Sequence, residues 1–188
     1  MLTKFKIIEM EKTIAVFVDT DSMISFFKDD PVYGTIEKPY NADSFYSIDA
    51  PEVLFRGKHI LQLEANCQYK IWLNASPGKS QLTTIKYANS SSKDPEGDMI
   101  FTMISDKTPT LDEWGQILDL KTIKYEYTVD GLLLVKQGAD GFFYVNTVQK
   151  ITCFKNLKYS FLFKIAGTDK IGFIDPFISN RSEDDGKD

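Results

Sequence analysis

The sequence predicts an all-β fold, an antiparallel β-sandwich carrying one or two short helices. Three observations predict it. Ile, Val and Thr number 18, 8 and 14 against 8 Ala, and aromatic residues make up 13% of the chain; branched and aromatic side chains suit a pleated, half-buried surface better than a helix. Apolar residues recur at every second position in short runs. Turn signals separate those runs at short intervals, and about nine or ten short strands at such spacing read as a sandwich or barrel.

Taken in order, the first strand is Ile14–Val18, apolar on both faces and therefore expected at the centre of a sheet. Asp21 to Lys28 follows with Met23, Phe26 and Phe27 at helical spacing, enough for two turns. Ile60 to Ala65 alternates Leu61 and Leu63 with Gln62 and Glu64. Tyr69–Leu73 and Leu82–Tyr87 are split by the turn signal Ser76-Pro77-Gly78. Met99–Ile104 is a short apolar run. Thr110-Leu111-Asp112-Glu113 matches a capping box opening a second helix, kept short by Gly115. Strands then follow at Thr122–Val129, Phe142–Val148, Tyr159–Ile165 and Ile171–Ile174, with Asp130-Gly131, Asp140-Gly141 and Gly167-Thr168-Asp169 as turns.

The chain divides into one domain over residues 1–181 and an acidic tail over 182–188, which has four acids, one lysine and no apolar residue. At 43% hydrophobic and 26% charged, the 188 residues are globular in composition, and a chain this long buries roughly 70% of its unfolded surface without a disulfide or metal. Net charge is −5, which argues against nucleic acid or an anionic membrane as the partner. No window approaches the ~20 apolar residues of a membrane span, and Lys4, Lys6 and Glu9 interrupt the amino terminus where a signal peptide needs an apolar run. A cytoplasmic protein is expected. Cys67 and Cys153 lie in apolar, strand-like surroundings and are expected as buried free thiols.

No catalytic constellation emerges. His59 is the lone histidine, without a nucleophile and orienting acid beside it, and one histidine does not make a zinc site of the usual type. Pro77-Gly78-Lys79-Ser80 resembles the end of a phosphate-binding loop, but position 73 is Leu where that loop needs Gly, and a strand rather than a helix follows. Neither a catalytic residue, a metal nor a cofactor is expected. Asp19 and Asp21 stand where the first strand runs into the first helix; a ligand or cation role there competes with capping by Asp21 at the helix start. Trp72 is expected in the core. Trp114, in a helix within a polar connection, either packs on a sheet or presents a ring for stacking on a sugar.

Three stretches resemble one family. Ile14-Ala15-Val16-Phe17-Val18-Asp19-Thr20-Asp21, Leu61 to Trp72 around Ala65-Asn66-Cys67-Gln68, and Gly172-Phe173-Ile174-Asp175-Pro176-Phe177-Ile178 resemble, in order and spacing, the opening strand, the Ala-Asn-Val-Gly-Asp…Trp segment and the closing Trp-Asp-Pro signature of PixA/AidA-type bacterial inclusion-body proteins. Cys67 and Gln68 replace Gly-Asp, and Ile174 replaces Trp. The resemblance, spanning about residues 12–178, implies a small cytoplasmic protein made abundantly, late in growth or in association with a host, that packs into inclusions. It supplies no catalytic residues. The expected function is therefore that of a non-enzymatic, self-associating inclusion-body protein, a homodimer or larger, whose acidic tail opposes association in a salt-dependent way. The rival is a lectin-like sandwich binding a glycan through Asp19, Asp21 and Trp114.

Overall fold

The computed structural model describes residues 10–30, 32–50, 60–91, 93, 96–153, 155–175 and 177–179. His59 and the acidic tail lie outside the described residues. In chain order the elements are β1 (Met10–Val18), α1 (Thr20–Phe27), β2 (Tyr40–Asn41), β3 (Tyr46–Asp49), β4 (Ile60–Gln62), β5 (Cys67–Ala75), β6 (Leu82–Thr84) and β7 (Asp98–Met103). They continue with α2 (Leu111–Gly115), β8 (Tyr125–Tyr127), β9 (Leu133–Lys136), β10 (Phe143–Asn146), β11 (Asn156–Ile165), β12 (Ile171–Ile174) and β13 (Phe177–Ser179).

The strands form two sheets. A four-stranded sheet has the order β10-β5-β1-β3, and a nine-stranded sheet runs β2-β12-β11-β7-β9-β8, with β6, β13 and β4 attached to it. Alternation puts one face of each sheet inward. In β5, Cys67, Tyr69, Ile71, Leu73 and Ala75 are buried while the residues between them are half-buried. Ile14, Val16 and Val18 of β1 and Phe143 and Val145 of β10 join them, and Met99, Phe101, Leu133, Val135, Tyr159, Phe161, Phe163 and Ile165 face them from the larger sheet in one cluster. The rings of Phe143 and Phe161 meet across the sheets at 5.4 Å. Each such side chain contributes about 1.5–3 kcal/mol by leaving water.

The all-β sandwich-like class holds, with one correction: the sheets are mixed rather than purely antiparallel. β1 and β5 pair parallel along their whole length, Met10 against Cys67 through Val18 against Ala75, and β12 with β2 and β13 with β4 are also parallel. Parallel neighbours require a long crossover, and the connection through α1, β2, β3 and β4 provides it. Both faces of β1 are covered at its centre, where Ala15 is buried along with Ile14 and Val16, in keeping with its interior position between β5 and β3.

Trp72 is the second correction. It points to the outer face of the four-stranded sheet, half-buried beside Lys70 and Asn74, instead of into the core. Several expected strands are shorter than their apolar runs: Thr122–Val129 reduces to β8 and Leu82–Tyr87 to β6. The turns stand as read, with Gly78, Gly131, Gly141 and Gly167 all at positive φ. Both cysteines are buried thiols outside any disulfide, and burial pushes each thiol pKa up.

Candidate functional site

Asp19 leaves the end of β1 and caps α1. Its carboxylate accepts the Ser22 amide at 3.0 Å and the Ser22 hydroxyl at 2.9 Å, and lies 3.3 Å from Lys79 Nζ. The Ser22 amide, then the Ser22 hydroxyl and Lys79, hold its pKa below the ordinary value against a smaller opposing effect of burial. Asp21 accepts the Ser80 amide at 3.1 Å, and hydrogen bonding from Ser80 lowers its pKa too. The buried Thr20 between them donates to the Ser80 carbonyl at 2.7 Å. The two carboxylates thus clamp the start of α1 to the 76–80 turn. Every oxygen with a partner here is engaged in capping or in holding that turn.

Trp114 does not join them. It is fully buried, edge-on to Phe101 at 6.3 Å, and its indole N–H donates to the Gly131 carbonyl at 3.0 Å. The sugar-stacking reading of Trp114 is corrected on that ground, because stacking needs an open ring face. The capping box forms with both hydrogen bonds in place and turns this ring inward, onto the larger sheet. Among the described residues, no group of three or more His, Cys, Asp or Glu is placed to hold a metal ion.

The polar residues of the other two motif stretches also have structural roles. Asn66 occupies the left-handed region at φ 55, a conformation Asn tolerates better than other side-chain-bearing residues, and its N–H donates to the Val148 carbonyl. Asp175 accepts Lys158 Nζ at 2.7 Å and the Ser160 hydroxyl at 2.6 Å, while its own N–H donates to Asp43 at 3.1 Å. It ties the end of β12 to β11 and to the 41–45 segment. Burial first, and then the charges of Asp43 and Asp175, push the nearby Tyr46 up to about 12.

Three further clusters are assembled by the fold. The first is ionic. Lys136 donates to Asp98 at 2.7 Å, to Glu126 at 3.0 Å and to the Ser90 hydroxyl at 2.9 Å. Glu126 also accepts the Ser91 amide and hydroxyl, both at 2.7 Å. Burial pushes Glu126 up, but hydrogen bonds from Ser91, Lys136 and Ser90 outweigh it and bring it to about 2. The cluster pins the 87–98 connection to the larger sheet, where Asp98 also accepts the Tyr87 amide.

The second is a row of rings on the outer face of the smaller sheet. Phe17 meets Trp72 edge-on at 5.9 Å, Trp72 stacks on Phe142 at 5.6 Å, and Lys70 Nζ sits 4.1 Å over the Phe142 ring. The Trp72 indole N–H is buried there without a hydrogen-bond partner among the described residues. The third lies on α1 and the segment after it. Phe27 stacks on Tyr40 at 4.6 Å, and Phe26 packs against Phe27 at 4.9 Å and Phe45 at 5.6 Å. Phe26 nevertheless stays 72% exposed.

Solved structures match this chain, among them an inclusion body protein. The crystal structure of an inclusion body protein (PixA) from Burkholderia cenocepacia J2315 aligns with 92% of this chain and 95% of its own, with a TM-score of 0.43 and 11% sequence identity. No family model and no curated protein matches the chain.

Proposed function

We propose that this chain is a non-catalytic, self-associating protein of the inclusion-body type that accumulates in cytoplasmic inclusions of a bacterium, in stationary phase or in association with a host. The observation that carries the reading is a division of labour among its side chains. The motif carboxylates Asp19, Asp21 and Asp175 are occupied in capping and cross-linking, while large apolar side chains such as Phe26, Val32, Tyr33 and Ile36 are left in water. Exposed apolar surface favours association, and carboxylates held in structural hydrogen bonds are not poised for acid–base work. The three motif stretches point the same way by resemblance. Immunofluorescence of the native producer with an antibody to this chain tests it: bright intracellular bodies are expected in late growth, and diffuse staining at every growth stage would overturn the reading.

The ring row of Phe17, Trp72 and Phe142, continued by Tyr144 at 6.5 Å from Phe142, favours a second reading, a neutral glycan laid across the smaller sheet with its C–H faces on the rings. A glycan array, with and without calcium, tests it. Selective binding lost in Trp72→Ala supports it, and a blank array counts against it.

A further inference from the structure

Phe26 and Phe27 are adjacent on a two-turn helix, so one ring turns in and the other turns out. Phe27 packs onto Tyr40, which is almost fully buried, whereas Phe26 rests on Phe27 and Phe45 with most of its surface free. Tyr33 touches Phe27 at 6.4 Å and is 43% exposed, and the same segment exposes Val32 at 50% and Ile36 at 43%. We infer that this aromatic cluster, on α1 and residues 32–45, is the surface on which a second copy of this chain docks. The inference rests on the self-association reading above and names its contact.

Three features single out this surface and this occupant. First, Phe26 is held by neighbouring rings, so little side-chain freedom is lost when a partner covers it, which is the condition of a pre-organised anchor. Second, the area fits. With ~150–250 Å² per aromatic side chain and roughly 100 Å² per branched one, the four exposed residues present about 300 Å² of apolar surface. A standard contact takes ~800 Å² from each partner, a little over half of it apolar. The cluster supplies most of that apolar centre, and a two-fold pairing presents the same centre from the other side.

The third feature is charge. Lys28, Lys38 and Lys170, the last with its Nζ 5.9 Å from the Tyr40 ring centre, stand among Asp21, Asp29, Asp30, Glu37 and Asp43 on and beside the patch, so a two-fold pairing can set the lysines of one copy against the carboxylates of the other. The other ring-bearing face has Glu11, Asp49 and Asp140 on or beside its strands against Lys70. A copy of that face pressed on itself meets excess like charge. The α1 cluster is the better self-contact.

The test is sedimentation velocity of the full chain in reducing buffer over a wide concentration range. It compares the wild type, the double variant Phe26→Ser/Tyr33→Ser, and Val129→Ser, a control at the fully exposed turn between β8 and β9. The wild type and the control are expected to associate alike. The double variant should dissociate at concentrations about 100-fold higher, since a two-fold contact carries each lost anchor twice. A double variant that associates like the wild type overturns this surface and leaves the self-association reading standing. A wild type that is monomeric throughout overturns both. Near-ultraviolet circular dichroism checks that the double variant is folded; if it is not, the single variant Phe26→Ser, altering only the most exposed ring, takes its place under the same outcomes.

Discussion

Replacing Lys136 with Met should cost about 3–4 kcal/mol of folding stability. The side chain is 6% exposed and lies between Asp98, which is fully buried, and Glu126, which is 18% exposed. Methionine fills similar volume, so little packing is lost and the change is mainly electrostatic. Removing one member of a buried ion pair leaves the other charge uncompensated and destabilises by ~3–5 kcal/mol. The lower part of that range applies, because Glu126 keeps its hydrogen bonds from Ser90 and Ser91 and Asp98 keeps the Tyr87 amide. For a domain of this size each kcal/mol moves Tm by about 2–4 °C, so a fall of roughly 6–16 °C is expected.

Urea and thermal melts at pH 7, followed by far-ultraviolet circular dichroism, measure the cost. The pH dependence adds a second readout. The folded pKa of Glu126 is depressed from 4.5 to about 2, so its contribution is fully present above 4.5 and is lost as pH falls through 2. The wild type should therefore lose stability from this group across that window, and Lys136→Met should lose less there, having already lost the cation. Adding Asp98→Asn and Glu126→Gln to Lys136→Met should recover part of the stability by removing the stranded charges. A Lys136→Met protein within about 1 kcal/mol of wild type, the ordinary range of surface substitutions, would refute the reasoning.

Three further outcomes are expected. Gly131→Ala should destabilise by about 2–4 kcal/mol in a thermal melt, because φ is +83 and the new Cβ meets Pro109 and Thr108 at 2.8 Å, whereas Gly78→Ala, at φ +77 but in open space, should cost about 1 kcal/mol. Asp19→Ala removes the α1 cap and should cost about 0.5–2 kcal/mol in urea. Since the folded pKa of Asp19 is lowered, the gap between variant and wild type should be full above pH 3.8 and close on acidification below it. Tyr159→Phe should be neutral or stabilising by up to about 1 kcal/mol, because the Tyr159 hydroxyl is buried without a partner among the described residues; a clear loss of stability would mean that this hydroxyl is satisfied in solution.

Local chemistry was legible in the sequence where it acts within a few residues. The capping box at Thr110 and Glu113, the Asp-Gly turns at 130–131 and 140–141, and the alternation of β5 all follow from short-range sterics and hydrogen bonding. Strand direction did not, because the two-residue period of β1 and β5 is the same whichever way they pair. β9 lacks alternation: Leu133, Leu134, Val135 and Lys136 are all buried, on both faces, so no period marks it. β2, two residues long, is too short to carry a pattern, whereas Tyr46 to Asp49 of β3 does alternate and was there to be read.

The outward side of Trp72 could have been read, since it shares its parity with Gln68, Lys70 and Asn74. Of the candidate site, a carboxylate cap at the start of α1 was legible, but Asp19 supplies it rather than Asp21, because the helix begins one residue earlier, at Thr20. The ion cluster was not legible, because Ser90, Asp98, Glu126 and Lys136 are brought together only by the folded sheet and its connection. The exposure of Phe26 follows the same logic, as helical spacing puts Met23 and Phe27 on one face without revealing how far the neighbouring ring is covered.

Self-association is measured by light scattering of the chain in reducing buffer at low and high protein concentration. The weight-average mass is expected to rise with concentration to at least twice the 21.4 kDa of one chain. A mass of 21.4 kDa at every concentration would contradict it.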